Sequence, residues 1–122
     1  MKKYDLEERL ISFSVLIIDL ANSLQNTNAG NHLSKQIVRS GTSVSLNYAE
    51  AQGAESRKDF IHKMKVTLKE LRETSVCLTI IRKAKLYKIE KIIMNAFDEC
   101  NELISIFVKC IATAQKNLVE RS

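Results

Sequence analysis

Apolar residues recur along this chain at alternating intervals of four and three positions, in four separate stretches. The first of these stretches carries Leu6, Leu10, Phe13, Ile17, Leu20 and Leu24. Such spacing lines one face of an α-helix, the face that packs into a core. The four stretches predict helices at about residues 5–26, 31–51, 56–86 and 89–118.

Residues that end and cap helices separate the first three stretches. The Asn and Gly residues of "NTNAGN" favour a helix end, and Asn28 or Asn31 can cap the next helix. Gly53 suits a helix C-terminus, and Ser56 and Asp59 have the spacing of a capping box. The joint between the third and fourth helices, "KAKLYKIE", lacks Gly, Pro and Asn, so one bent helix is an alternative there.

Four helices joined by short loops predict an all-α fold, an antiparallel up-down-up-down four-helix bundle, in one domain over residues 1–122. A three-helix hairpin array is the alternative. Proline is absent and only three glycines occur, so a β-rich fold would lack the turns it needs. The first helix has more apolar surface than one core face uses, so we expect it also to contact another subunit. The additional residues are Ile11, Val15, Leu16 and Ile18.

Composition places the chain among folded proteins of a reducing compartment. Hydrophobic residues make up 45% and charged residues 27% of the chain. No apolar signal core follows the N-terminal "MKKYDLEERL", and the longest apolar runs are too short to cross a bilayer. The three cysteines, Cys77, Cys100 and Cys110, lie within apolar helical patterns. We therefore expect buried thiols, a cytoplasmic location and no membrane partner.

The net charge of +5 comes from one part of the chain. Residues 54–86 contain nine Lys and Arg against four Asp and Glu, while the rest of the chain is balanced. Within this segment a basic stripe follows one helix face, and it consists of Lys58, His62, Lys65, Lys69 and Arg72. Such a stripe can follow a phosphate backbone, so these residues are candidates for nucleic-acid binding. The alternative is a solvated face whose charges pair with Asp59, Glu70 and Glu73 on adjacent turns.

A second pattern, the polar stripe, runs along one side of the second predicted helix and consists of Arg39, Ser43, Asn47 and Glu50. We interpret it as a set of hydrogen-bonding residues on a closely packed helix, where it sets bundle register or subunit contacts. A polar pocket or pore lining is the alternative.

Enzymatic chemistry finds little basis in the sequence. His32 and His62 lie in different predicted helices, without Cys or carboxylate residues at metal-ligand spacing. Phosphate-binding glycine motifs and nucleophile motifs are absent. We therefore expect no catalytic residues, no metal and no cofactor, and a small-molecule or metal enzyme is the third functional hypothesis.

Residues 33–81 resemble the bacterial four-helix-bundle proteins that are encoded within intervening sequences of 23S ribosomal RNA genes. The residues that match in order and spacing are Gln36, Arg39, Ser40, Ser43, Asn47, Glu50, Gly53, Ser56, Asp59, Phe60, Lys69, Glu70, Glu73 and Thr74. Two positions depart from the pattern. Ala51 follows Glu50 where a glycine is expected, and Lys85 stands where a glycine often separates the third and fourth helices.

The resemblance implies an antiparallel four-helix bundle that assembles into a ring-like homo-oligomer, with a pentamer as the expected state. It also implies a relation to the accessory proteins of diversity-generating retroelements, which are similar bundles that bind nucleic acid and a reverse transcriptase. No enzymatic activity comes with the family. The leading hypothesis is therefore a non-enzymatic oligomeric bundle that associates with structured RNA or DNA. The second is a protein-binding scaffold, for example an accessory subunit of a reverse transcriptase.

Overall fold

The computed structural model describes residues 3–121, with side chains over residues 5–119, and every regular element in this range is an α-helix. The helices are α1 (Lys3–Asn22), α2 (Asn28–Gln52), α3 (Arg57–Lys83) and α4 (Glu90–Arg121). The all-α class predicted from the apolar pattern is confirmed.

The four helices close into a bundle in which each helix packs against two others. Consecutive helices contact one another along the chain, and α4 also packs against α1. Over the described residues no Cα atoms of α1 and α3, or of α2 and α4, come within 8 Å of one another, so these two pairs lie on the diagonals. Because the connections are short, neighbouring helices run antiparallel. The up-down-up-down four-helix bundle is confirmed, and the hairpin array and the single bent helix are both wrong.

The apolar faces read from the sequence meet between the four helices as one core. Every helix contributes side chains with almost no exposed surface, among them Leu10, Ile17, Ile37, Leu71 and Leu103. Burying a side chain of this size stabilises a fold by about 1.5–3 kcal/mol relative to leaving it in water. The core therefore holds α3 rigidly, with the opposite face of that helix toward solvent.

The connection between α1 and α2 differs from the prediction. The structure ends α1 at Asn22 and begins α2 at Asn28, so both boundaries come earlier in the chain. Thr27 caps α2, rather than Asn28 or Asn31, because its extended backbone aims the hydroxyl at the first helical turn. This hydroxyl accepts a hydrogen bond from the Gly30 amide at 3.0 Å.

The start of α3 uses the capping residues that the sequence indicates. Ser56 is the N-cap, and its hydroxyl accepts a hydrogen bond from the Asp59 amide at 3.0 Å. The Asp59 carboxylate reaches back and accepts from the Glu55 amide at 3.4 Å. This places the reciprocal bond of the capping box one residue before the cap itself.

The end of α3 is a tight turn with a lysine in the position that usually holds glycine. Lys85 has a φ of 57°, in the left-handed region. The Leu86 amide donates to the Ile81 carbonyl and the Lys85 amide donates to the Arg82 carbonyl, both at 3.1 Å. These two bonds define a Schellman motif, and Leu86 is buried beneath it. The motif explains why α3 stops at Lys83 although no glycine follows.

Candidate nucleic-acid interface

The five residues of the basic stripe all lie on the solvent-facing side of α3. Lys58, His62, Lys65, Lys69 and Arg72 are each exposed, while Ile61, Met64 and Leu71 of the same helix are buried. The stripe runs from Lys58 to Arg72, fourteen positions further along the helix, which at 1.5 Å per residue is a length of about 21 Å. The structure therefore brings all five candidates together on one open surface.

The acidic residues of α3 form their ion pairs with residues outside the basic stripe. Glu70 and Glu73 both bind Arg39 of α2, and the Arg39–Glu70 distance is 3.1 Å. Asp59 pairs with Lys63 at 3.4 Å, and Lys63 is not part of the stripe. These three acids therefore pair with residues outside the stripe, and the nucleic-acid-binding face and the solvated face both stay predictions. No described side chain forms an ion pair with any residue of the stripe.

The four residues of the polar stripe of α2 differ in their surroundings. Arg39 crosses to the two glutamates of α3, and the Ser43 hydroxyl donates to the Arg39 carbonyl at 2.6 Å. Asn47 is half-buried and Glu50 is exposed. Arg39 therefore links two helices of one bundle through two acidic residues of α3.

A buried hydrogen bond beside the polar stripe joins the same two helices. The Thr74 hydroxyl of α3 lies 2.8 Å from the Ser40 hydroxyl of α2, and neither residue has exposed surface. A buried polar pair is stable only while both members are satisfied, so this bond favours one register of α2 against α3.

Close packing between α1 and α2 depends on a contact that the sequence analysis did not single out. The Ser14 hydroxyl of α1 donates to the Gly41 carbonyl of α2 at 2.8 Å and lies 2.7 Å from the Ser45 hydroxyl. A Cβ at Gly41 would come within 2.7 Å of Ile17. A glycine in the middle of an amphipathic helix, with no turn nearby, was the available sign of this approach.

The thiols and imidazoles are not arranged as a catalytic or metal site in the described part of the chain. Cys100 is fully buried and its thiol donates to the Leu71 carbonyl at 3.2 Å. Burial raises the pKa of the Cys100 thiol to about 12, and burial also raises the pKa of Cys77. Neither thiol is therefore a ready nucleophile near neutral pH. No three His, Cys, Asp or Glu side chains there are grouped to hold a metal ion.

The larger concave sites among the described residues are open clefts at the ends of the bundle. One of about 310 Å³ lies between the start of α3 and the last turns of α4, lined in part by Phe60 and Cys110. An enclosed apolar cavity between α3 and α4 is only about 70 Å³. No helix in the described range carries an apolar stretch of the length that a bilayer crossing requires. The basic stripe is therefore the surface with the most distinctive chemistry.

Comparison with known proteins agrees with this fold. The family model of the 23S rRNA-intervening sequence proteins matches residues 2–109. A crystal structure from Bacteroides thetaiotaomicron, of a protein with unknown function from the S23 ribosomal protein family, is 32% identical to this chain. The two superpose with a TM-score of 0.83, covering 92% of this chain and 99% of the other. The comparison with curated proteins returned no relative.

Proposed function

The chain belongs to the family of 23S rRNA-intervening sequence proteins, and from this membership and the surface of α3 we propose that it is a non-enzymatic bundle that binds structured RNA or DNA. The observation that carries the proposal is the unneutralised basic stripe. Its five side chains are exposed, lie in one row and have no anionic partner among the described residues. A polyanion supplies the missing charge.

The physical basis of binding is the release of counterions from the phosphate backbone. Each Lys or Arg that contacts a phosphate frees a condensed cation, so affinity rises with the number of contacts and falls with salt. Contacts to phosphates alone do not distinguish one base sequence from another, because a protein recognises bases through their edges in the grooves. The stripe therefore supports recognition of nucleic-acid shape and charge rather than of a particular sequence.

Assembly into a homo-oligomer, a ring of five copies, is part of the same proposal. Three apolar side chains line the outer face of α1: Ile11 is 43% exposed, Val15 51% and Ile18 37%. An apolar row of this kind is stabilised when a second copy covers it. Since α1 and α3 lie on a diagonal of the bundle, a contact made through the outer face of α1 does not itself cover the basic stripe of the same chain. The three free cysteines support a cytoplasmic location.

The decisive experiment reverses charge on the stripe. We expect the variant Lys65→Glu/Lys69→Glu/Arg72→Glu to lose at least about 100-fold in affinity for a structured RNA near 0.1 M salt. The slope of log affinity against log salt should become shallower by about three, one for each lost contact. Fluorescence anisotropy over a salt series measures both quantities.

A variant with the same change in charge elsewhere is the control. Lys35, Lys109 and Lys116 are exposed on α2 and α4, and their replacement by Glu should leave most of the affinity intact. Circular dichroism of both variants must show unchanged helix content. Wild-type affinity in the folded stripe variant, or equal losses in both variants, would contradict the assignment of the stripe.

A protein-binding scaffold, for example an accessory subunit of a reverse transcriptase, is the second candidate. The observation that favours it is apolar surface that continues along α3, where Val76 is 59% exposed and Ile80 is 45% exposed. A partner protein that survives nuclease treatment and high salt in a pull-down, and is lost from a Val76→Glu/Ile80→Glu variant, would support this function. Loss of the partner on nuclease treatment supports the nucleic-acid function instead.

A further inference from the structure

The outer face of α3 carries charge beyond the basic stripe. Lys69, Val76 and Lys83 follow at intervals of seven residues, which is two helical turns, so they lie in one row. Lys83 is exposed at the end of this row. Cations therefore lie on both sides of an uncharged apolar segment formed by Val76 and Ile80.

A second group of cations surrounds the connection between α3 and α4. This basic turn consists of Arg82, Lys83, Lys85, Lys88 and Lys91, all of them exposed. The one acid among residues 82–91 is Glu90, and it is occupied by Arg82, whose Nε lies 2.6 Å from Glu90 Oε1. The four lysines have no ion pair with any side chain that the structure describes. They therefore present net positive charge at this end of the bundle.

The basic turn has a defined shape. The Schellman motif holds Lys85 and Leu86 in place, and the Leu86 carbonyl accepts a hydrogen bond from the Gln25 amide at 3.1 Å. The connection between α1 and α2 is thus hydrogen-bonded to the basic turn. Arg82, Lys83, Lys85 and Glu90 line an open cleft of about 290 Å³. A ligand that binds here meets a backbone whose conformation is already set by hydrogen bonds, which lowers the entropic cost of binding.

The spacing between the two basic segments fits a double helix. Eleven residues separate Arg72 from Lys83, which is about 16 Å along the helix axis. From Lys58 to Lys83 the distance is about 37 Å, near the 34–36 Å of one turn of duplex DNA. The major groove of such a duplex is about 12 Å wide between its phosphate backbones. The uncharged segment at Val76 and Ile80 is therefore long enough to span the major groove between two phosphate backbones.

A single strand would leave a different pattern. Proteins that bind single strands combine a continuous basic track with exposed aromatic side chains on which bases stack. The aromatic residue nearest to the stripe in α3, Phe60, is half-buried against the core, and no fully exposed aromatic side chain occurs among residues 5–119. The interrupted track and the absence of fully exposed aromatic side chains among residues 5–119 both favour a duplex.

We propose that the basic turn is a second phosphate-contacting site, and that the ligand class is double-stranded nucleic acid, spanned across one groove by the basic stripe and the basic turn. The inference rests on the proposed function, because it needs the stripe to hold one of the two backbones. It adds the contribution of the turn and the preference for a duplex.

The test compares four proteins on two probes. The proteins are the wild type, the basic-turn variant Lys83→Glu/Lys88→Glu, the stripe variant described above and the control Lys109→Glu/Lys116→Glu. The probes are a labelled duplex of about 20 base pairs, enough for more than one helical turn, and one of its strands alone. Lys85 is left unchanged, since its backbone conformation would confound the result. Anisotropy over a salt series gives the affinity and the salt slope.

We expect the basic-turn variant to bind the duplex at least about tenfold more weakly than the control, with a salt slope shallower by about two. The wild type should prefer the duplex to the single strand. Duplex affinity equal to the control in the turn variant, together with a loss in the stripe variant, overturns the second site and leaves the proposed function standing. Equal or stronger binding of the single strand overturns the duplex class. Wild-type binding by the stripe variant overturns the proposed function itself.

Discussion

Gly41 determines how closely α1 and α2 approach one another. The Ser14 hydroxyl reaches the Gly41 carbonyl at 2.8 Å only because no side chain stands between the helices. A Cβ added to Gly41 would lie 2.7 Å from Cγ2 of Ile17, which is fully buried and branched at Cβ. Ile17 has little freedom to move away, because the core surrounds it.

Replacing Gly41 by Ala should therefore destabilise the bundle by about 1–2 kcal/mol. Overpacking costs about 1–3 kcal/mol, and the better helix propensity of alanine offsets up to about 1 kcal/mol of it. Denaturant unfolding followed by circular dichroism measures the difference. Gly53→Ala is the matched control, since a Cβ there meets only the Glu50 carbonyl oxygen at 3.7 Å. Equal stability of Gly41→Ala and Gly53→Ala would show that the α1–α2 contact is loose.

Arg39 pairs with two acidic residues of the neighbouring helix, although it carries only one positive charge. By binding Glu70 and Glu73 it draws both carboxylates of α3 to the α2 side of the helix. The pair contributes little stability, since Arg39 is 48% exposed and exposed ion pairs contribute at most about 1 kcal/mol. With Glu70 and Glu73 bound to Arg39, neither glutamate forms an ion pair with the basic stripe.

At the scale of elements, α3 is defined by side-chain and backbone bonds at its two ends. Ser56 and Asp59 satisfy amides before and within its first turn. The Schellman motif satisfies carbonyls of its last turn and turns the chain into α4. The Schellman motif requires a residue in the left-handed conformation, and here that residue is Lys85, with a φ of 57°. A side chain with a Cβ is strained in this conformation, by about 1–2 kcal/mol.

Lys85→Gly should relieve that strain. We expect it to stabilise the protein by about 1 kcal/mol, because the gain in the folded turn exceeds the greater freedom of glycine in the unfolded chain. Lys85→Ala removes the same charge but keeps a Cβ, so it should give no comparable gain. Thermal unfolding of the three proteins at equal concentration measures the effect. A melting temperature of the glycine variant no higher than that of the alanine variant would argue against strain at this residue.

At the scale of the whole molecule, charge is divided between two diagonally opposed helices. The acids Asp5, Glu7, Glu8 and Asp19 are exposed on α1, and the one described cation of that helix, Arg9, binds Glu99 of α4 at 2.7 Å. The outer face of α3 carries the basic stripe. Since α1 and α3 lie on a diagonal of the bundle, a polyanion that approaches α3 does not meet the acidic surface of α1.

The proposed oligomer depends on the apolar row of α1. We expect light scattering of the wild type to give a mass of five chains of 13.9 kDa each. Val15→Glu places a charge in the middle of that row and should shift the mass toward the monomer, because a buried unpaired carboxylate is costly. Val76→Glu, a matched substitution at an exposed valine of α3, should leave the mass unchanged. A wild-type monomer, or an unchanged mass for Val15→Glu, contradicts the proposed interface.

The sequence by itself determined the class and number of the helices, since the repeat of Leu10, Phe13 and Ile17 is a local property of the chain. The start of α3 was also readable, because Ser56 and Asp59 are only three residues apart. The start of α2 was not, because Thr27, Asn28 and Asn31 are all competent caps. Only the backbone conformation at Thr27 selects among them.

The tertiary structure decided which charges of α3 meet a partner. From the sequence, Glu70 and Glu73 have cations of their own helix within one turn, and this spacing favours pairing along α3. The packing of α2 against α3 instead brings Arg39 to both carboxylates, so these two glutamates form no ion pair with the basic stripe. The approach of α1 to α2 at Gly41 was decided in the same way. Distances between helices depend on how the whole core packs, and no local pattern encodes them.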